Sequence, residues 1–401
     1  MEEKWTLNEA KRIGIMEQVI GNVITAKQAA KQLGVTRRQI FRLKKLFKQE
    51  GPKGLRHGNK GKPPANKTKA EVKKKALEIF FDWRKECDEA PNASHFRDIL
   101  EENKIELSRQ TTWRWLKERG AISTPVRKKK HRIKRPRRMR EGEMLFLDGS
   151  PHPWYGKDNP AATLILCSDD ATTKALWGIF TAEEDRNSCF EVAYEVMMKF
   201  GLPGSFYLDR ASQFLTTRTK YLPTVPPPTH WQIAMRQLGI ALIFGNSPQA
   251  RGRGERINGT FQKRLVHELQ FNAIKDHRTA TNYLNSVFIP NYNKRFSVVA
   301  GASDPAWRKP PVGLDLRTVL CAKHSREVSN DNNVNFENRR FQILKHPGWA
   351  TFAKTTIEVQ EWYDGSLHIS HPKAGLLRAN EIPRIKYRTA KGYDRIAATI
   401  G

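Results

Sequence analysis

The sequence has 401 residues, a formal net charge of +30 at pH 7 and a pI near 10.1. Hydrophobic residues make up 38% of the chain, which argues against general disorder, and the length is enough for roughly two to four domains. No apolar stretch approaches the roughly 20 residues that span a bilayer, and the N-terminus lacks a secretory signal pattern. We therefore expect a cytoplasmic protein with no membrane segment and with a polyanionic partner.

Most of the positive charge lies in the first third of the chain. Residues 1–140 contain 38 Lys and Arg and 16 Asp and Glu, which is +22 of the total +30. The main grip on a polyanion is therefore expected there. The four cysteines are widely separated and none belongs to a Cys-x-x-Cys pair, so the sequence predicts buried thiols and neither a structural zinc site nor a disulfide framework.

Residues 1–60 have a pattern typical of a helix-turn-helix domain. An apolar stripe ends at Gly34, which permits a tight turn, and Thr36 can cap a second helix. The outer face of that helix is where a recognition helix meets base edges and phosphates, although an ordinary helical hairpin with a solvated basic face has the same pattern. The residues predicted to contact DNA are Arg37, Arg38, Gln39 and Arg42.

Residues 70–124 are predicted to form a second helix-turn-helix domain. Ser108 can cap a helix in which Trp113 and Leu116 are apolar, and Trp115 is expected in the core. Two such domains in tandem would cover a longer DNA site than one. The residues predicted to contact DNA are Arg109, Gln110, Arg114 and Lys117.

Residues 125–140 form a basic linker that is too charged to fold alone. We expect it to follow phosphates as an extended arm between domains, with a solvated linker and a localisation signal as alternatives. The lysines predicted to contact DNA are Lys128, Lys129 and Lys130.

The segment 141–300 begins with three strand-like runs, after which helix and strand alternate. This order predicts an α/β domain with a mixed sheet and is similar to the ribonuclease H-like fold. The Pro-rich stretch at 215–229 is interpreted as an insertion outside the sheet. Asp169 and Asp170 follow the second run and are interpreted as structural turn residues.

Three carboxylates stand out in this segment. Asp148 and Asp209 each close a short apolar run, and Glu255 lies on a helix rich in basic and amide residues. If the fold brings them to one point, they could hold two Mg²⁺ ions, because Mg²⁺ takes oxygen ligands and keeps sites open for phosphate oxygens and water. The pattern therefore indicates phosphodiester chemistry.

Further DNA contacts are predicted around Glu255. Glycines on its N-terminal side allow a close approach of the backbone, and helical spacing puts Asn258 and Gln262 near the face of Glu255. A solvated helix face is the alternative for each side chain. The residues predicted to contact DNA are Arg251, Arg253, Asn258 and Gln262.

Short β segments separated by Asn, Gly and Asp turns fill residues 315–375. They predict a small β-barrel of about five strands, which would bind either DNA or partner subunits. Residues 376–401 are predicted to be a C-terminal tail.

Taken together, these motifs resemble DDE transposases of the retroviral-integrase superfamily, most of all the ISNCY-type bacterial insertion-sequence transposases. The motifs that carry the resemblance are Leu147-Asp148-Gly-Ser, Asp169-Asp170-Ala-Thr, Leu208-Asp209-Arg-Ala-Ser-Gln-Phe214 and Ser247-Pro-Gln-Ala-Arg-Gly-Arg-Gly-Glu255-Arg. The similarity covers most of the chain. Asp209 and Glu255 are 46 positions apart (255 minus 209), which is longer than the spacing usual in retroviral integrases.

The resemblance implies a multidomain protein: two N-terminal all-α domains, a central ribonuclease H-like catalytic domain at 141–300, and the β-barrel. It implies that Asp148, Asp209 and Glu255 are the catalytic and metal-binding triad for two Mg²⁺ ions, with Mn²⁺ as a substitute. The expected reaction is 3′-end cleavage at element ends followed by strand transfer. Expected partners are the double-stranded DNA of ends and target and further copies of the chain, in a bacterial cytoplasm and at the nucleoid when DNA-bound.

Two other functions fit parts of the pattern. One is a non-catalytic, sequence-specific DNA-binding protein, an end-binder or repressor that retains the integrase fold. Divalent-dependent nicking of end-containing DNA would separate it from a transposase. The other is a ribonuclease H-type nuclease, which would cleave RNA–DNA hybrids and would not need the two helix-turn-helix domains.

Overall fold

The structure is a computed structural model that describes residues 6–56, 59, 63, 67–121, 135–216, 226–245 and 252–383. Within these ranges no helix has the length and apolar composition of a membrane span. The chain divides into two compact units, Met1–Lys75 and Ala76–Gly401. Sequence predictions that lie outside the described residues are those for Lys128, Lys129, Lys130 and Arg251, most of the basic linker and of the Pro-rich insertion, and most of the tail.

The first unit contains a helix-turn-helix, as the sequence predicts. Thr36 accepts a hydrogen bond from the backbone N–H of Gln39 and caps the last helix, and Gly34 ends the preceding helix with a left-handed φ of 64°. Met16, Ala29 and Ile40 are fully buried in a small core. The helices are α1 (Leu7–Ile20), α2 (Ala26–Leu33) and α3 (Arg37–Glu50), followed by a 3₁₀ turn (Gly51–Leu55).

The next region is also helical. Ser108 caps the third helix of this region by accepting from the backbone N–H of Thr111, and both Trp115 and Leu116 are buried. The expected cap and the expected core position of Trp115 are therefore confirmed. The helices are α4 (Ala70–Glu86), α5 (Ala93–Glu102) and α6 (Arg109–Glu118).

A five-stranded mixed sheet forms the centre of the second unit, in the order β3-β2-β1-β4-β5. The first three strands are antiparallel, while β4 pairs parallel with β1 and β5 pairs parallel with β4. The predicted mixed sheet is confirmed. Its strands are β1 (Leu145–His152), β2 (Ala162–Asp169), β3 (Ala175–Thr181), β4 (Ser205–Leu208) and β5 (Ala241–Phe244).

Helices cover both faces of this sheet, which explains why every residue of β2 is buried. On one face, α7 (Arg186–Phe200) and α8 (His230–Gln237) pack Phe190 and Trp231 against the sheet. The other face is covered by α9 (Gly254–Gln262), α10 (Leu265–Phe271), α11 (His277–Tyr283) and α12 (Ile289–Phe296), with a π-helical turn at Leu284–Phe288.

Asp148 ends its apolar run in the sequence, but it does not end the strand. It lies in the middle of β1, because β1 stays paired with β2 as far as His152 opposite Ala162. The second half of the strand, Gly149–His152, is polar or small, and its composition does not indicate a strand. Asp209, by contrast, directly follows β4 as expected.

The C-terminal region is built from two sheets. A four-stranded sheet has the order β11-β10-β9-β6 and a three-stranded sheet the order β12-β8-β7. They share a core that includes Phe341, Val359 and Ile369. The strands are β6 (Ala322–Glu327), β7 (Asn333–Phe336), β8 (Arg339–Ile343), β9 (Thr356–Glu361), β10 (Leu367–His371), β11 (Gly375–Leu377) and β12 (Ala379–Ile382), after a 3₁₀ turn at Leu316–Thr318.

The predicted closed barrel is not confirmed. The β7–β8 hairpin pairs with β12 and makes no ladder with the four-stranded sheet among the described strands, so the strands do not close on themselves. The sequence interpretation also places β12 in the tail, although it pairs along β8 from Ala379 opposite Ile343.

Helices α4 and α5 are attached to α10 and α12 by a polar and aromatic contact within the second unit. Trp83 stacks on Phe271 with ring centroids 4.1 Å apart, and Asp98 forms ion pairs with Arg264 and Arg295. His267, in α10, is buried at this contact, and burial lowers its pKa to about 4. The folded chain therefore keeps this ring neutral.

We predict that this contact loses stability in mild acid. Between pH 6.5 and 4 the unfolded chain binds a proton at His267 that the folded chain does not, so the free energy of unfolding falls as the pH falls. The loss reaches about 2 kcal/mol at pH 5, at about 1.4 kcal/mol per pH unit. In urea unfolding followed by tryptophan fluorescence, His267→Gln should make the fall in the free energy of unfolding smaller by about this amount, while His346→Gln should leave the fall unchanged.

Candidate active site

Asp148 lies on β1, and Asp209 directly follows the neighbouring strand β4. Strands β1 and β4 run parallel with Phe146 opposite Tyr207. Counting two residues on from this pair along each segment gives Asp148, within β1, and Asp209, the residue after β4. Both side chains are half-buried.

Asp148 lies on the face of the sheet that α9 covers. Asp148 is opposite Leu166 in β2, and directly opposite residues project to the same face. Leu166 belongs to the core beneath α9, together with Phe261. Asp209 forms a local turn in which its Oδ1 accepts from the N–H of Ala211 at 2.9 Å. The fold thus presents the Asp148 carboxylate next to α9.

Helix α9 is joined to Asp148 through Asn258. The Asn258 side-chain amide donates to Oδ2 of Asp148 at 2.9 Å, and one turn later the Gln262 amide donates to Oγ of Ser150 at 3.0 Å. Asn258 is buried, and its amide is bonded to Asp148. Its predicted contact with DNA stays a prediction. These two bonds fix α9 along β1.

Glu255 lies at the start of α9, one turn before Asn258, and is exposed. Within the described residues no group of three or more His, Cys, Asp or Glu side chains is placed to hold a metal ion. The structure therefore places Asp148 on β1, Asp209 directly after the neighbouring strand β4 and Glu255 on the helix beside β1, without joining all three carboxylates in one cluster among the described residues. Their assignment as a triad stays a prediction.

A fourth carboxylate, Glu184, lies on the opposite face of the sheet at the same level. A Cβ atom on Gly149 would overlap the Glu184 carboxylate, and the Gln213 amide donates to Glu184 Oε1 at 2.7 Å. Burial and the charges of Glu184, Asp185 and Asp209 raise the pKa of Cys189. The position of Glu184 could not be predicted from the sequence, because only the missing side chain of Gly149 indicates the space that the Glu184 carboxylate fills.

A basic cluster lies beside the aspartates. Arg253, the residue before α9, forms an ion pair with the fully buried Asp170 and also donates to the backbone carbonyl of Arg135. Burial lowers the pKa of Arg137, and the charges of Arg253 and Arg256 act in the same direction. Several guanidinium groups are thus concentrated at the site, where DNA phosphates would be attracted.

The predicted DNA-contacting side chains of both helical regions are exposed. In the first unit, Thr36 and Ile40 orient α3 so that its outer residues face solvent. In α6, the Lys117 ammonium lies 4.8 Å from the ring centroid of Trp113. The exposed predicted residues are Arg37, Arg38, Gln39, Arg42, Arg109, Gln110, Arg114 and Lys117.

Comparisons with known proteins agree with the predicted resemblance. A family model described as a winged helix-turn-helix matches residues 17–74. The chain is 28% identical over 364 residues to "Putative transposase y4bF" of Sinorhizobium fredii (strain NBRC 101917 / NGR234), with 90% of this chain and 78% of the relative covered. It is 27% identical over 401 residues to "Transposase for insertion sequence IS1202" of Streptococcus pneumoniae, with 91% and 84% covered. The similarity to insertion-sequence transposases is confirmed.

Among solved structures, the chain is similar to one in a simian T-cell lymphotropic virus intasome in complex with the PP2A regulatory subunit B56 gamma. The sequence identity is 14% and the TM-score 0.33, with 69% of this chain and 89% of that chain covered. This similarity is too low to support an argument.

The packing of Glu184 under Gly149 gives a stability prediction. Gly149→Ala adds a methyl group where the Glu184 carboxylate lies, so the free energy of unfolding should fall by about 1–3 kcal/mol. In a Glu184→Ala background the same change should cost much less, because the overlapping group is gone. Urea unfolding of the wild type, Gly149→Ala, Glu184→Ala and the double variant measures the coupling between the two positions.

The matched control for this cycle is Gly259→Ala in α9, where an added Cβ meets nothing within 4 Å. There alanine should stabilise the helix by about 0.5–1 kcal/mol. Equal losses for Gly149→Ala in both backgrounds would contradict the contact between Gly149 and Glu184.

Proposed function

We propose that this chain is a DNA transposase that binds the ends of a mobile element and catalyses Mg²⁺-dependent 3′-end cleavage and strand transfer. The observation that carries the proposal is Asp148 on β1, bonded to the helix that bears Glu255, with Asp209 directly after the adjacent parallel strand β4. The similarity to two proteins named transposases, over about nine-tenths of this chain, supports the same function.

The sheet supports a ribonuclease H-like assignment for the catalytic domain. Three antiparallel strands followed by two parallel ones, in the order β3-β2-β1-β4-β5, make the central strand β1 the neighbour of both β2 and β4. We propose that a carboxylate on β1 and one just after β4 then lie close to each other. This is the arrangement that the resemblance implies for Asp148 and Asp209.

The donor set suits Mg²⁺, which prefers carboxylate oxygens and retains water and phosphate oxygens as further ligands. Asp148, Asp209 and Glu255 are the proposed ligands of two ions, with Mn²⁺ as a substitute. When bound, such ions activate an attacking oxygen and stabilise the leaving oxygen at phosphorus. Asn258 holds the Asp148 carboxylate in one orientation through its 2.9 Å bond to Oδ2.

Basic residues would hold the DNA. Exposed guanidinium and amide groups on α3 and α6 suit two tandem contacts with element ends, and Arg253 adds positive charge near the carboxylates. One chain has one such carboxylate set, while joining two ends needs two. We therefore propose a homo-oligomer on DNA, in which each copy supplies one active site.

The first functional prediction concerns Asp209. Asp209→Asn keeps the size of the side chain but removes the charge that attracts Mg²⁺, so strand transfer should fall by at least about 100-fold while binding of end DNA persists. Joining of a labelled, pre-cleaved end to plasmid DNA measures the reaction, and fluorescence anisotropy without divalent ions measures binding. The matched control is Asp158→Asn, an exposed aspartate of the same unit.

Normal strand transfer by Asp209→Asn would contradict the triad. A wild-type protein that binds end DNA but never nicks or joins it with Mg²⁺ or Mn²⁺ would instead favour the non-catalytic DNA-binding alternative. Cleavage of RNA–DNA hybrids without joining would favour the ribonuclease alternative.

The second functional prediction concerns the recognition helix. Arg42→Ala should lower the affinity for end DNA by about tenfold and reduce the slope of log affinity against log salt by about 1, if Arg42 contacts a phosphate. Titrations at several salt concentrations with the full chain test this. Lys11→Ala, an exposed residue of α1, should leave both quantities unchanged.

A further inference from the structure

Asp170 is a fully buried carboxylate that receives donors from two separate segments of the chain. The guanidinium groups of Arg135 and Arg253 both form ion pairs with its Oδ1. The backbone N–H of Arg138 donates to its Oδ2 at 2.8 Å. One side chain in the turn after β2 thus contacts both the arm that enters the catalytic domain and the residue before α9.

The neighbouring Asp169 is equally buried but has different partners. Its Oδ2 accepts from the N–H and the hydroxyl of Thr172, both at 2.7 Å, and its Oδ1 accepts from the N–H of Gly142 at 2.9 Å. Within the described residues, the ion pairs of Arg135 and Arg253 are with Asp170 and not with Asp169. The turn and the bond to Gly142 therefore account for Asp169, but they do not account for the contacts of Asp170.

The arm bound to Asp170 lies on the row of side chains next to the aspartates. The Arg135 guanidinium is 6.0 Å from the ring centroid of Phe146 and 5.9 Å from that of Tyr207. Phe146 is two residues before Asp148 in β1, so its ring lies on the same face of the sheet as Asp148. Arg135 is thus one row of side chains away from Asp148.

The start of α9 is fixed by the same carboxylate. Arg253 is followed by Gly254, at which a Cβ would lie 3.7 Å from the Phe146 ring, and then by Glu255. Among the residues that the structure describes, no side chain caps this helix, and the Arg253 side chain links its start to the β2–β3 turn. A second Arg253 bond, to the carbonyl of Arg135, ties the helix start to the arm.

We propose that Asp170 is a positioning residue that sets Glu255 and the basic arm in one fixed relation to Asp148 and Asp209. This inference rests on the proposed function. Removing the Asp170 charge leaves two guanidinium groups facing each other without a counter-charge, and each would move towards solvent. The arm and the first turn of α9 would then loosen together, and Glu255 would lose its place beside the aspartates.

Hydrogen–deuterium exchange on the full-length protein tests the positioning without any activity. Asp170→Asn should speed exchange both in the arm, residues 135–140, and in α9, residues 254–262. Asp169→Asn should speed exchange around the β2–β3 turn and leave α9 unchanged. Unchanged exchange in α9 for Asp170→Asn would overturn the inference.

A second variant keeps the test decisive if Asp170→Asn does not fold. Arg253→Gln removes one of the two guanidinium groups and leaves Asp170 paired with Arg135. It should reproduce the faster exchange in α9 and in residues 135–140. Where both single variants fold, the Asp170→Asn/Arg253→Gln double variant should exchange in α9 little faster than either single variant, because both changes break the same ion pair. Fully additive effects would contradict the positioning role of Asp170.

An activity measurement separates a positioning role from a merely structural one. In Asp170→Asn, the Mg²⁺ concentration for half-maximal strand transfer should rise by about 10- to 100-fold, the usual effect of losing a group that orients a ligand. Loss of folded protein alone would lower the maximal rate and leave that concentration unchanged, as would be seen for Asp169→Asn. An unshifted Mg²⁺ dependence for Asp170→Asn would overturn the inference.

The two proposals fail in different ways. If the wild-type protein shows no divalent-dependent joining, the proposed function fails, while hydrogen–deuterium exchange still decides whether Asp170 holds α9 and the arm. If joining is present and the Asp170→Asn protein matches wild type in both exchange and Mg²⁺ dependence, only the positioning role is wrong.

Discussion

The pairing of β1 with two different neighbours is the constraint on which the candidate site depends. β1 runs antiparallel to β2 and parallel to β4, so it has a fixed register on both sides. A slip of one residue would turn Asp148 to the other face of the sheet and Leu147 out of its core. Because Leu145 and Leu147 are buried in one core while Leu166 opposite Asp148 is buried in the other, such a slip would expose apolar surface on both faces. Packing on two sides therefore fixes the register of β1 and the face on which Asp148 lies.

Part of this arrangement could be predicted from the sequence because it depends on local patterns. The cap at Thr36, the turn at Gly34, the buried Trp115 and the strands of the mixed sheet all follow from hydrophobic periodicity and turn chemistry. The length of β1 could not be predicted, since Gly149–His152 is polar and becomes a strand only through its partner β2. The division of the C-terminal strands into two sheets could likewise not be predicted, because strand composition does not determine which strands pair.

The side chains that organise the site were harder to predict because their partners are distant in sequence. Asn258 has the same helical spacing whether it faces DNA or Asp148, and only the packing of α9 on β1 decides that it bonds to the aspartate. Asp169 and Asp170 look alike in sequence, but Asp169 bonds to Thr172 in its turn and to the backbone of Gly142, whereas Asp170 bonds to guanidinium groups 35 and 83 positions away. Glu184 is indicated only by the missing Cβ of Gly149.

The charge distribution connects these contacts to the work of a DNA-binding chain. With a net charge of +30, arginines near the site repel one another, and the lowered pKa of Arg137 reflects burial first and neighbouring arginines second. A buried carboxylate such as Asp170 offsets that repulsion at one point and leaves the remaining positive charge available to phosphates. Asp170 forms ion pairs with two arginines, so this cluster keeps a net positive charge. DNA phosphates can therefore be attracted to the cluster while Asp170 keeps both ion pairs. Asp170 and the surrounding arginines can therefore hold α9 in place and at the same time attract DNA.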